Sequence, residues 1–131
     1  MKDSSFTLLV TGSPFTGQAH YSAMNFCEAI YQKQCRINCV FFYQDAVLVA
    51  SCLNDFDGKV RLQNSWASLA KKYQFNLDVC VAAAVKRGVY DQEEMQRDDK
   101  LTYNLAEGFQ LSGLGVLVES MSKTTRTVEF K

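Results

Sequence analysis

The stretch FNLDVCVAAAVKRGV, residues 75–89, joins a strand pattern directly to a helix pattern. Its first half is apolar and β-prone, which suits a buried strand. Ala82, Ala83 and Ala84 favour a helix, and Gly88 is a natural stop just beyond a short one. Cys80 is therefore predicted to lie where a strand ends and a helix begins.

Two interpretations of Cys80 follow from this position. The first backbone N–H groups of a helix lack partners within the helix and carry partial positive charge, so a thiolate placed there is stabilised. Lys86 and Arg87, about two turns further along, add positive charge to the neighbourhood. The alternative is a buried cysteine that acts as a small hydrophobic residue. These residues by themselves leave both interpretations open.

The rest of the chain continues the alternation of strands and helices. The run INCVFFY is apolar almost throughout, as expected of a parallel strand that is covered on both faces. The predicted strands are Phe6–Val10, Ile37–Tyr43, Leu77–Cys80, a short one from Phe109, and Arg126–Phe130; the predicted helices are Ala19–Gln34, a short one near Ala46–Ser51, Leu62–Tyr73, one after Cys80, and Leu114–Ser122. This order predicts a single α/β domain over residues 1–131, with a five-stranded, mainly parallel sheet and helices on both faces.

Three connecting segments invite a functional interpretation. The apolar run Ala46–Leu53 is either core or a subunit contact, since an exposed apolar patch usually marks a partner. It precedes a predicted polar turn around Asp55, Asp57 and Gly58. The acidic segment YDQEEMQRDDKLTYN, residues 90–104, is predicted to be solvated and mobile, with an acid/base or metal cluster as the alternative. The loop at residues 11–20 contains no phosphate-binding motif and is predicted to border the Cys80 pocket.

Charge and cysteine content exclude several classes of protein. The 14 basic and 14 acidic side chains balance, so charge gives no support to direct nucleic-acid binding. No apolar run reaches the ~20 residues of a membrane helix, and the first residues do not resemble a signal peptide, which predicts a cytoplasmic protein. Five cysteines, an odd number, together with the lack of a secretory signal argue against a disulfide framework, and their spacing does not suit zinc. Cys27 and Cys39 are predicted to be core residues, whereas Cys35 and Cys52 stay open.

Four segments resemble the DsrE family of small sulfurtransferases. They are LLVTG (residues 8–12), VFFYQDAV (40–47), CVAAAVKRGV (80–89) and NLAEGFQLSGLGVLVES (104–120), which span nearly the whole chain in the expected order. The cysteine segment followed by FQLSGLG is the specific part of this resemblance, because any buried strand can look like the other two.

The resemblance implies a fold of the same α/β type and an enzyme that carries sulfur. Cys80 would be the catalytic residue, accepting sulfane sulfur as a persulfide and passing it to a downstream carrier, with no cofactor and no metal. The implied partners are small sulfur-carrier proteins and TusB-like and TusC-like subunits in a heterohexamer, with neither nucleic acid nor membrane bound directly. The implied purpose is 2-thiouridine formation in tRNA.

Other functions stay open from the residues alone. The family also serves sulfur oxidation, and the chain could be a non-catalytic structural subunit in which Cys80 is inert. A nucleotide- or flavin-binding module is disfavoured, because the chain has no phosphate-binding motif.

Overall fold

The computed structural model describes residues 4–54 and 62–131. In this part of the chain the strands are β1 Ser5–Val10, β2 Arg36–Phe42, β3 Asn76–Cys80, β4 Phe109–Ser112 and β5 Arg126–Phe130. The helices are α1 Ala19–Gln32, α2 Leu62–Tyr73, α3 Val81–Lys86, α4 Gln92–Arg97 and α5 Leu114–Lys123, with a 3-10 helix over Gln44–Ala50. The polar turn predicted around Asp55, Asp57 and Gly58 lies outside the described residues.

The described strands form one sheet in the order β4-β3-β2-β1-β5, and every neighbouring pair is parallel. The predicted α/β fold with a parallel sheet is thereby confirmed. The chain steps outward from β1 to β4 and then returns through α5, which places β5 on the far side of β1. The carboxyl ends of β2, β3 and β4 consequently lie side by side at one edge of the sheet.

Helices cover both faces of the sheet, as predicted. Phe6 of β1 packs edge-on against Phe26 of α1, with ring centroids 5.4 Å apart. The next residue, Thr7, is hydrogen-bonded to Ser120 of α5, with 2.6 Å between the hydroxyl oxygens. Because consecutive strand residues point to opposite faces, α1 and α5 lie on opposite sides of the sheet.

The apolar run after β2 belongs to the core. Ala46, Val47, Val49 and Ala50 are completely buried in and at the end of the 3-10 helix. The interpretation of this run as core is therefore correct, and its interpretation as a subunit contact is wrong. Leu53, just beyond it, is exposed. A run that is apolar at nearly every position looks the same in sequence whether the fold or a partner covers it.

The acidic segment after Gly88 contains a helix, which the sequence interpretation missed. Asp91 is the N-cap residue of α4, and its side chain accepts a hydrogen bond from the backbone N–H of Glu94 at 2.8 Å. Glu94 is buried and pairs with Arg97 at 2.8 Å. An acidic cap followed three residues later by glutamate is a helix-start signal, so this helix was readable from the sequence.

The three- and four-residue spacing in the sequence predicts one apolar stripe on α5, formed by Leu114, Leu117, Val118 and Met121, but this stripe does not face the sheet as a whole. Leu117 and Ser120 are the buried residues of this helix. Leu114, Val118 and Met121, which the periodicity placed on the same stripe as Leu117, are exposed. The sheet face beneath α5 is partly polar, and the Ser120 hydroxyl also accepts a hydrogen bond from Asn38 at 2.8 Å. The buried side of the helix is therefore chosen by hydrogen bonding as well as by apolarity.

A buried histidine joins the loop after β1 to the core. His20 Nε2 lies 2.9 Å from the Gly12 carbonyl oxygen, and His20 Nδ1 accepts a hydrogen bond from Trp66 Nε1 at 3.1 Å. This pair of partners defines a neutral imidazole protonated on Nε2. Burial lowers the pKa of His20 to about 4, although the hydrogen bond to Gly12 acts in the opposite direction.

None of the helices in residues 4–54 and 62–131 combines the length and the apolar character needed to cross a membrane.

Candidate functional site

Cys80 occupies the junction predicted from the sequence. It is the last residue of β3 and the N-cap residue of α3, and Gly88 ends the region with a left-handed φ of 80°. In the parallel register Cys80 pairs with Ser112, the last residue of β4. The thiol is thus held at the carboxyl edge of a central strand, where open α/β sheets place their sites.

A cavity of about 230 Å³ opens next to Cys80. Its walls come from Tyr43 and Gln44 just after β2, from α3, and from Leu114 at the start of α5. Cys80 lines this cavity but is only 1% exposed. The volume is small, so it suits the end of a side chain or a small anion rather than a nucleotide or a flavin. None of the residues from Thr11 to His20 lines it, so the prediction that this loop borders the pocket is wrong.

Lys86 and Arg87 line the same cavity, but their side chains make different contacts. Arg87 Nε donates to Asp45 Oδ1 at 2.9 Å, and Arg87 Nη1 donates to the Ala83 carbonyl oxygen at 3.1 Å. The guanidinium therefore braces α3 against the 3-10 helix. Lys86 is exposed, and within the described part of the chain it makes no ion pair. Its ammonium group is the cation available to a negatively charged group that enters the cavity.

A buried carboxylate stabilises the sheet immediately before the cysteine. Asp78 shares the sheet face of Cys80, because the two residues are two apart in a strand. Asp78 Oδ1 accepts hydrogen bonds from Gln110 Nε2 at 2.6 Å and from Ser112 Oγ at 2.7 Å. These bonds tie β4 to β3 at the residues that lead up to Cys80 and at the residue paired with it. The sequence interpretation included Asp78 in an apolar run and gave it no role of its own. The alternation of side chains along a strand could have placed it on the same face as Cys80.

Cys27 and Cys39 are poor candidates for sulfur chemistry. Burial, with a smaller contribution from Glu28, raises the pKa of Cys27 to about 12. Burial likewise raises the pKa of Cys39 to about 11, against a hydrogen bond from Ser120 that lowers it. Both are core residues, as predicted. Cys35 is also buried, whereas Cys52 is exposed on a turn. None of the five cysteines, all of which lie within the described residues, forms a disulfide.

The rest of the described structure gives weaker support for a functional site. The groups of His, Cys, Asp and Glu within residues 4–54 and 62–131 include no cluster that could hold a metal ion. A larger groove of about 790 Å³ is lined by polar residues that include Lys71, Asn76 and Glu107. Asn76 begins β3, so this groove lies at the opposite end of the strand from Cys80, about 13 Å away.

Comparison with known proteins extends the description to a family. A model of the DsrE/DsrF-like family matches residues 4–130. A protein of Vibrio vulnificus strain YJ016 named "Sulfurtransferase TusD homolog" is 40% identical over 126 residues, covering 95% of this chain and 96% of its own length. "Sulfurtransferase TusD" of Photorhabdus laumondii is 37% identical over 135 residues, covering 99% and 100%.

A solved structure agrees with the fold. The crystal structure of the ychN protein from E. coli superimposes with a TM-score of 0.75 over 97% of this chain and 99% of that one, at 13% identity, which supports the architecture alone. The family match and the relatives cover almost every residue, including the strand-to-helix junction at Cys80. The chain therefore belongs to the DsrE/DsrF-like family and has TusD sulfurtransferases as full-length relatives.

Proposed function

We propose that this chain is a sulfurtransferase subunit that accepts sulfane sulfur as a persulfide on Cys80 and relays it to a downstream carrier. The observation that carries the proposal is the position of Cys80, at the carboxyl edge of β3 on the wall of a small cavity beside Lys86. The sulfurtransferase relatives, named TusD, support the same activity.

The proposed chemistry is an exchange between two thiols. The Cys80 thiolate attacks the terminal sulfur of a donor persulfide, R–S–SH, and forms a new S–S bond. The old S–S bond breaks, the donor leaves as a thiolate that takes up a proton, and Cys80–S–SH remains. The second half repeats these steps with the thiolate of the acceptor attacking the terminal sulfur. No net oxidation occurs, so the exchange needs neither cofactor nor metal.

The residues around the cavity have distinct roles in this scheme. Lys86 offsets the negative charge of the Cys80 thiolate and of the departing donor thiolate as they pass through the cavity. Arg87, through Asp45, holds α3 in place behind the cysteine. Cys27 and Cys39 take no part, because their raised pKa values keep them protonated near neutral pH.

We infer the destination of the sulfur from the family resemblance. It is 2-thiouridine formation in tRNA, reached through further carriers rather than by direct contact with RNA, which agrees with the balanced charge of the chain. Sulfur oxidation is the alternative pathway. The cytoplasm is the compartment that suits a persulfide relay, since the relay requires reduced thiols and none of the five cysteines in the described residues forms a disulfide.

We also propose that the chain works inside a hetero-oligomer with TusB-like and TusC-like subunits. The exposed side of α5 supports this, because Val118 is 64% exposed and Leu114 and Met121 are each nearly half exposed. Three apolar side chains on one exposed helix form a surface of the kind that partners cover. This surface replaces the apolar run after β2 as the basis for expecting an assembly.

Mass spectrometry after sulfur loading tests the central proposal. The protein is incubated with a cysteine desulfurase, a small carrier protein and cysteine, and its intact mass is then measured. We expect a gain of about 32 Da per sulfur atom, mapped to Cys80, that is lost in Cys80→Ser. Cys52→Ser is the matched control, because it removes the exposed thiol without touching the cavity. Sulfur on Cys52 with none on Cys80 would refute the assignment, and no loading of either would favour a structural subunit.

A further inference from the structure

The burial of Cys80 poses a problem for any exchange at its sulfur. A persulfide donor must bring its terminal sulfur into line with the thiol, yet only 1% of Cys80 is exposed. Part of the cavity wall must therefore move before the thiol can react. The helix α3 is a poor candidate, because Arg87 ties it to Asp45 and to its own backbone.

The start of α5 forms another part of the cavity wall, next to Cys80. Ser112 ends β4 beside Cys80, Gly113 is the N-cap residue of α5, and Leu114 is the first residue of the helix. Leu114 lines the cavity, and 45% of it is exposed to solvent. It is the residue of α5 that forms part of the cavity wall. Its side chain therefore lies between the cavity and the outside of the molecule.

Two glycines flank Leu114 where neither the backbone conformation nor the available space requires glycine. Gly113 has φ −80° and ψ 165°, which any residue adopts, and the φ of Gly115 is not in the left-handed region. A Cβ built on Gly113 or Gly115 would meet no described atom within 4 Å other than those of its chain neighbours and its own helix backbone. At Gly12, by contrast, a Cβ would approach Ala19 to 2.6 Å. Glycine is a poorer helix former than alanine and a weaker N-cap than serine, so both positions lower the stability of the first turn.

We propose that Gly113 and Gly115 form a hinge at the start of α5, and that Leu114 is a gate residue that must leave the cavity wall before a donor sulfur reaches Cys80. The hinge rests on the proposed function, since it explains how a buried thiol exchanges sulfur. Local opening of the first turn releases Leu114 while the rest of α5 stays attached through Leu117 and Ser120.

Alkylation of Cys80 by iodoacetamide measures this opening without any sulfur transfer. All proteins carry Cys52→Ser, so that the exposed thiol does not consume reagent, and modification of Cys80 is followed by peptide mass spectrometry. Gly113→Ser with Gly115→Ala stiffens the hinge, and we expect alkylation to slow on the order of fivefold. Leu114→Ala removes the gate, and we expect a similar acceleration. Adding Leu114→Ala to the stiffened variant should give the same fast rate as Leu114→Ala alone, because the hinge acts only by moving the Leu114 side chain.

Ser122→Ala is the matched control. It raises helix propensity at an exposed position near the other end of α5, where the Ser122 hydroxyl donates to the Glu119 carbonyl oxygen of its own helix at 2.7 Å. It should leave the alkylation rate unchanged. A stiffened variant that is folded and alkylated at the starting rate would overturn the hinge, as would an unchanged rate in Leu114→Ala. Sulfur loading separates the two proposals. If the alkylation rates of Cys80 change as expected but the protein never gains sulfur, only the proposed sulfurtransferase role is contradicted.

Discussion

Acidification should destabilise this protein through one side chain, His20. The neutral imidazole donates from Nε2 to the Gly12 carbonyl oxygen and accepts at Nδ1 from Trp66 Nε1. Protonation of Nδ1 would place two N–H donors against each other in a buried site. Burial disfavours the charged form and lowers the pKa of His20 to about 4, although the hydrogen bond to Gly12 acts in the opposite direction.

The size and sign of this change in the free energy of unfolding follow from the difference between the pKa of His20 in the folded protein and in the unfolded chain. An unfolded histidine has a pKa of about 6.5, so between pH 6.5 and pH 4 the unfolded chain binds the proton and the folded protein does not. The free energy of unfolding therefore decreases as the pH falls through this window. The difference of about 2.5 pKa units corresponds to about 3 kcal/mol in total, of which about 2 kcal/mol is lost between pH 7 and pH 5.

Urea unfolding at several pH values tests this prediction, with Trp66 as the reporter. Trp66 is the chain's single tryptophan and contacts His20 directly, so its fluorescence reports on this site. His20→Gln is the matched variant, because an amide can donate to Gly12 and accept from Trp66 without titrating. We expect it to be less stable than the parent at pH 7 and to lose about 2 kcal/mol less on going to pH 5. Parallel curves for the two proteins would refute the reasoning.

Two further predictions concern the sheet and the exposed helix. Asp78→Leu should lower the free energy of unfolding by about 1–3 kcal/mol, measured by urea titration, because it removes the buried carboxylate that accepts the hydrogen bonds from Gln110 and Ser112 and so joins β4 to β3. A change within about 0.5 kcal/mol, which is typical of surface substitutions, would contradict this role. Val118→Glu should weaken assembly with TusB-like and TusC-like subunits at least about tenfold in sedimentation, because it places a charge in the proposed contact. Glu119→Gln on the same helix is the control, and full assembly of Val118→Glu would contradict the proposed surface.

The strand-to-helix junction at Cys80 was predictable because its signals are local. Apolar residues up to Cys80, three alanines after it and Gly88 at the end each act through the conformation of nearby backbone. The same holds for α2, whose bounds Leu62–Tyr73 agree with those predicted, and for β5 at Arg126–Phe130. The parallel sheet followed from the alternation of these elements, because parallel strands require a crossover between them.

Tertiary structure decided what lies next to what, since packing joins residues that are far apart in the chain. The burial of Ala46–Ala50 and the exposure of Val118 could not be read from apolarity, which is the same for a core and for an interface. The contact of Leu114 with the Cys80 cavity required α5 to follow β4 at the edge beside β3. The sequence by itself determined that a cysteine stands at the end of a buried strand. Only the tertiary structure decided that this cysteine is enclosed, because the residues that enclose it come from three separate crossovers of the sheet.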